Sequence, residues 1–106
     1  MEDGPARAVR IVLAHDDSVV SASLASRLAM EFEIVGIAAD ADDAIALAEA
    51  HQPDAAVVDV EMPHGDGLRA AREIRKQAPR TAIVALSVDM AHARLSRSTA
   101  PAGDLA

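Results

Sequence analysis

The stretch Ala55-Ala56-Val57-Val58-Asp59-Val60-Glu61-Met62-Pro63-His64-Gly65-Asp66-Gly67 decides how this chain is read. Ala55 to Val60 is apolar apart from Asp59 near its carboxyl end, and its length suits a strand covered on both faces. A charged residue in so apolar a run is rarely buried unless it is paired, which singles out Asp59. Met62 to Gly67 is a loop by composition. Beyond it, Leu68, Ala71, Ile74 and Ala78 share one face of a predicted helix, Arg69, Arg72, Glu73 and Lys76 lie on others, and Pro79 ends it.

The same alternation extends in both directions. Upstream, Val9 to Ala14 is a second apolar run, closing on His15, Asp16 and Asp17. Ser18 offers an N-cap for a helix on which Val20, Leu24 and Leu28 recur every four residues. Glu33 to Ala38 is a short strand, and Asp40 caps a helix from Ala41 to His51 that Pro53 terminates. Downstream, Thr81 to Leu86 is the fourth apolar run, closing on Ser87, and a weaker helical stretch spans Asp89 to Ser98. Four strand-helix units in alternation predict an α/β domain with a parallel sheet, right-handed crossovers and helices on both faces. Residues 1–8 read as a disordered leader, 9–98 as the domain and 99–106 as a flexible tail.

Composition narrows the function. The chain has 106 residues, 17 acidic against 10 basic, for a formal net charge of −7. Nucleic acid and anionic membranes demand clustered Lys and Arg, so neither is expected as a direct partner, and the single lysine, Lys76, makes the point sharper. No apolar run has the length of a membrane span, and the N-terminus lacks a signal-peptide core, so a cytoplasmic location is expected. The absence of cysteine excludes disulfides, thiol redox chemistry and thiolate metal sites. Alanine fills 25 positions, so packing must rely on small residues.

In an open parallel sheet, ligands gather outside the carboxyl ends of the strands. Here those ends carry His15, Asp16 and Asp17, then Asp59 and Glu61, then Ser87. Carboxylates brought together repel unless a cation neutralises them, and hard oxygen ligands of this kind suit Mg²⁺. A carboxylate beside bound Mg²⁺ can act as a nucleophile toward phosphorus, with Ser87 donating to the product oxygens. The chemistry suggested is aspartyl phosphorylation. Each residue also has a plainer use: Asp16 and Asp17 are equally suited to capping the first helix, and Ser87 to capping the helix after the fourth strand. His15, His51, His64 and His92 show no metal-ligand spacing, and the last three read as surface residues.

These residues resemble the receiver domains of bacterial two-component response regulators. Asp59-Val60-Glu61-Met62-Pro63 followed by Gly67 matches the family's phosphoacceptor Asp, two residues, Met-Pro, then Gly, and Gln52-Pro53-Asp54 before the third strand is also typical. The spacings agree, with Asp59 43 residues after Asp16 and Ser87 28 residues after Asp59. The resemblance implies a flavodoxin-like three-layer fold in which Asp59 accepts phosphate from a phosphohistidine on a sensor kinase or phosphotransfer protein. It also implies Mg²⁺ held by Asp16, Asp59 and the Glu61 backbone carbonyl, with Ser87 as the switch hydroxyl. The wording of Glu33 to Ala38 looks most like receivers attached to helix-turn-helix output domains, and no output domain is present in these residues.

Two departures qualify this. The family has an acidic pair after the first strand; alignment by strand end puts His15 and Asp16 there, so that Asp17 would have to complete the metal site, whereas a shift of one residue makes Asp16 and Asp17 the pair. The family's fifth-strand lysine, fifth strand and fifth helix are missing after Ser87, which reads as a C-terminal truncation with sheet order 2-1-3-4 and the fourth strand at an edge. Such an edge, with Val20, Leu24 and Leu28 partly uncovered, predicts self-association through that side. The alternatives are a degenerate receiver acting as a phosphorylation-independent interaction or dimerisation module, and a Mg²⁺-dependent aspartyl phosphohydrolase. Receivers catalyse only their own phosphorylation and dephosphorylation, so no turnover enzyme is expected.

Overall fold

The computed structural model describes residues 7–88 and, as backbone, 93–98. The apolar runs form β1 (Arg10–Ala14), β2 (Glu33–Ala38), β3 (Ala55–Asp59) and β4 (Ala82–Val88). Between them lie α1 (Ser18–Leu28), α2 (Ala41–His51) and α3 (Asp66–Gln77), the last preceded by a 3₁₀ turn at Pro63–Gly65. The four strands pair in parallel in the order 2-1-3-4, so this is a flavodoxin-like sheet with the expected strand order. Leucine, isoleucine and valine of the two central strands are buried on both faces, which is why β1 and β3 read as continuous apolar runs.

The two faces are packed differently. α2 and α3 share one face, where Ala14, Ala38, Ala41, Ala44, Ala48, Ala56, Ala70, Ala71 and Ala78 join Val58, Ile74, Ile83 and Met62 in one buried cluster. Small side chains let these helices lie close to the sheet, and that is where the alanine content is used. On the other face Ile11, Leu13, Val57 and Leu86 are buried beneath α1, with Leu24 and Phe32 packed against them. Val20, Leu24 and Leu28 are only half-buried, because α1 covers that face without a second helix among the described residues.

Four local expectations are corrected. The helical reading of 89–98 fails where it can be tested: Ala93–Ser98 is a strand, β5, antiparallel to β4, and 89–92 lie outside the described residues. Six residues of each strand pair, from Ile83↔Ser98 to Val88↔Ala93. β4 is therefore internal and β5 forms the edge, since hydrogen bonding to an open strand outweighs the weak helical preference of Ala-Arg-Leu-Ser. The added strand is antiparallel, unlike the parallel strand with crossover helix that the family resemblance calls for. The N-cap of α1 is Asp17, whose carboxylate accepts from the Val19 and Val20 amides; Ser18 is the first helical residue. Leu68 is 40% exposed, and Gly67, Ala70, Ala71 and Ile74 form the buried face of α3 instead. β4 runs two residues past Leu86, so Ser87 lies within it. The expected tail at 99–106, most of the leader, and His92 lie outside the described residues.

Candidate phosphoacceptor site

Asp59 ends β3, the strand between β1 and β4, and is 6% exposed. Its Oδ1 accepts from the Glu61 amide at 2.9 Å, which holds the carboxylate at the turn. Among the described residues no hydrogen bond reaches Oδ2. The turn is anchored by Met62, 3% exposed in the α2–α3 cluster, and Val60 N–H continues the pairing to Leu86 at 3.0 Å. Gly67 packs against this strand end: a Cβ there would lie 2.2 Å from the Asp59 carbonyl oxygen and 2.7 Å from the Val60 Cα. The glycine of the motif is therefore a close-approach residue, whereas the left-handed turn falls to His64 and Gly65, with φ of 63° and 71°. Asp66 then ties the loop to α2 by accepting from the Ala41 amide at 3.1 Å.

His15 follows β1 and is 7% exposed, its amide donating to the Ala38 carbonyl at 2.9 Å. Its Nε2 lies 3.4 Å from Asp59 Oδ2, and its Nδ1 accepts from the Asp17 amide at 3.0 Å. Asp16, 43% exposed at its side chain, brings a carboxylate oxygen to 3.9 Å from Nδ1. Ligand atoms of His15, Asp16 and Asp59 all lie within 4.8 Å of one another. The sequence-expected residues are thus only partly brought together. Asp16 and Asp59 meet, Asp17 is turned into the N-terminus of α1, and His15 joins the two carboxylates in the place where Asp17 was expected to complete the site. Ser87 Oγ donates to Glu61 Oε2 at 3.0 Å, so the two residues bracketing the carboxylate are engaged with each other. Glu61 therefore contributes through its amide and its carboxylate, which the sequence reading, concerned with its carbonyl, did not foresee. β5 sets Arg94 opposite Ser87 in register.

This arrangement, a buried carboxylate with one oxygen held by an amide and the other reached by no hydrogen bond among the described residues, beside a second carboxylate, can accept an electrophile and hold a hard cation. A profile of the response regulator receiver domain matches residues 11–101. The chain belongs to that family. As a receiver it is similar to the transcriptional regulatory protein PdtaR of Mycobacterium tuberculosis, 42% identical over 81 residues that cover 74% of this chain and 40% of PdtaR. It also matches a protein-glutamate methylesterase/protein-glutamine glutaminase of Anaeromyxobacter dehalogenans, 38% identical over 72% of this chain and 22% of that protein. The match there is confined to the receiver part, so it carries no esterase activity to this chain. Among solved structures, the signal receiver domain of the response regulator NarL from M. tuberculosis superposes with a TM-score of 0.72 at 29% identity, covering 79% of this chain and 69% of that one. The response regulator domain of Thermotoga maritima CheB gives 0.71 at 26% identity, covering 81% and 66%. The receiver thus spans less than half the length of the curated relatives it matches. No helix among its described residues is long and apolar enough to cross a membrane.

Proposed function

We propose that this receiver is a phosphoacceptor module of a two-component phosphorelay, taking a phosphoryl group on Asp59 from a phosphohistidine of a sensor kinase or phosphotransfer protein. The observation that most supports the reading is the Asp59 carboxylate itself, buried at the carboxyl end of β3 with Oδ1 held by the Glu61 amide and Oδ2 reached by no hydrogen bond among the described residues. Oδ2 attacks phosphorus, the P–O bond forms as the P–N bond breaks, and the donor imidazole leaves with the electron pair of that bond. The Glu61 amide keeps the nucleophile oriented throughout. Ser87 then exchanges its Glu61 acceptor for a phosphoryl oxygen, which makes it the switch hydroxyl.

The donor set fits Mg²⁺, because Asp16 and Asp59 offer the two carboxylates that a largely hydrated ion needs and Glu61 adds its carbonyl. When bound, the ion neutralises charge on the phosphoryl oxygens. Asp17 joins that set only by giving up the α1 cap. Trifluoroberyllate, a mimic of the acyl phosphate, tests the reading by ¹⁹F NMR: the wild type should show a bound signal with Mg²⁺ and Asp59→Asn should not. Identical behaviour of the two would favour the phosphorylation-independent interaction module.

Self-association of the receiver through the α1 side is part of the same proposal, with a second copy as the occupant. Two observations favour it: β5 leaves a strand edge at the end of the sheet, and Val9, Ile11, Leu28, Phe32, Val57 and Val84 line a groove of about 400 Å³. Sedimentation showing a stable monomer at high concentration would refute it.

A further inference from the structure

His15 is buried beside the Asp59 carboxylate, and its hydrogen bonds determine what the ring can offer. The Asp17 amide donates to Nδ1 at 3.0 Å. A backbone N–H cannot be given up or turned round, so Nδ1 must present its lone pair and the ring proton sits on Nε2. That nitrogen lies 3.4 Å from Asp59 Oδ2, the oxygen that no hydrogen bond reaches among the described residues. A lone pair on Nε2 for a metal would require a proton on Nδ1 facing the Asp17 N–H, two hydrogens opposed across 3.0 Å. His15 is therefore arranged as a donor into the phosphoacceptor site and not as a ligand.

Its surroundings make that donor consequential. Among the described residues His15 is the one basic side chain within 4.0 Å of the Asp59 carboxylate. The single lysine of the sequence, Lys76, lies on α3 and pairs with Glu73 at 3.3 Å. Both His15 and Asp59 side chains are 8% exposed, so a hydrogen bond from Nε2–H to a group carried on Oδ2 is shielded from water and correspondingly strong.

We infer that His15 is the phosphoryl-oxygen donor of this receiver, its Nε2–H meeting the charge on a group bound at Asp59 Oδ2 and relaxing the dependence of that binding on a divalent cation. This rests on the phosphoacceptor reading of Asp59. On this reading a neutral donor does part of the work that a cation would otherwise do at the site.

The test is trifluoroberyllate binding by ¹⁹F NMR on the whole chain, with saturating Mg²⁺ and again in metal-stripped buffer, for wild type, His15→Gln, His15→Ala and His15→Asp. A hydrogen bond to a charged group is worth about 10- to 100-fold in affinity. Without metal, wild type and His15→Gln, which keeps an N–H at that reach, should bind within about 10-fold of their Mg²⁺ values. His15→Asp should lose about 100-fold or more on metal removal, while binding well in Mg²⁺, which also certifies its fold. His15→Ala should lose the metal-free binding alone, and if it fails to fold, the Gln and Asp variants still decide. Wild type losing as much as His15→Asp on metal removal would overturn the inference while leaving the phosphoacceptor reading intact. No bound signal for any variant, even in Mg²⁺, would overturn both.

Discussion

Replacing Gly67 by Ala should both destabilise the receiver and misplace its phosphoacceptor. The added Cβ would lie 2.2 Å from the Asp59 carbonyl oxygen, 2.7 Å from the Val60 Cα and 3.0 Å from the Asp59 carbonyl carbon, whereas ordinary contact begins at 3.4 Å. All three neighbours are backbone, and β3 is held on both sides by β1 and β4, so no flexible side chain can give way. The strand end and the start of α3 must part by about 1 Å, which puts the cost at the upper end of overpacking, about 3 kcal/mol. At about 4–8 °C per kcal/mol for a domain of this size, the midpoint should fall by about 12–24 °C. Gly65→Ala is the matched control, because its φ is 71° but its Cβ would meet nothing within 4 Å. It carries only the left-handed penalty of about 1–2 kcal/mol. Thermal unfolding followed by circular dichroism at 222 nm measures both. A Gly67→Ala midpoint no lower than that of Gly65→Ala would refute the close-approach argument.

Two further substitutions test the supports of the site. Asp17→Ala removes the acceptor of the Val19 and Val20 amides and should cost about 1 kcal/mol in urea denaturation, with Asp17→Asn recovering most of it; an unchanged midpoint would show that the cap is not what holds α1. Thr81 is 6% exposed and donates to the Pro53 carbonyl at 2.7 Å, so Thr81→Val should cost about 1–3 kcal/mol by leaving that oxygen unpaired, and Thr81→Ser should cost less.

The alternation of apolar runs with helical periods was enough to place the four parallel strands and the segments of α2 and β2, because those features depend on local pattern and on the handedness of parallel crossovers. Asp59 was legible for the same reason: a lone charge inside Ala-Ala-Val-Val is visible in one dimension. What escaped was whatever a residue meets from another part of the chain. Ala93–Ser98 has no strand pattern of its own and is a strand because β4 offers an open edge. Asp17 and Asp16 are indistinguishable in sequence, and the direction in which α1 leaves β1 gives one to the helix and the other to the site. Ser87 could be placed at a strand end, but its Glu61 partner comes from 26 residues away.

By itself the sequence determined the parallel sheet, the lone strand-end carboxylate Asp59 and the family, since each follows from residue types and spacings along the chain. Only the tertiary structure decided that His15 Nδ1 accepts from the Asp17 amide while Nε2 faces Asp59, because the path from β1 into α1 brings that amide to the ring and β3 lies beside β1.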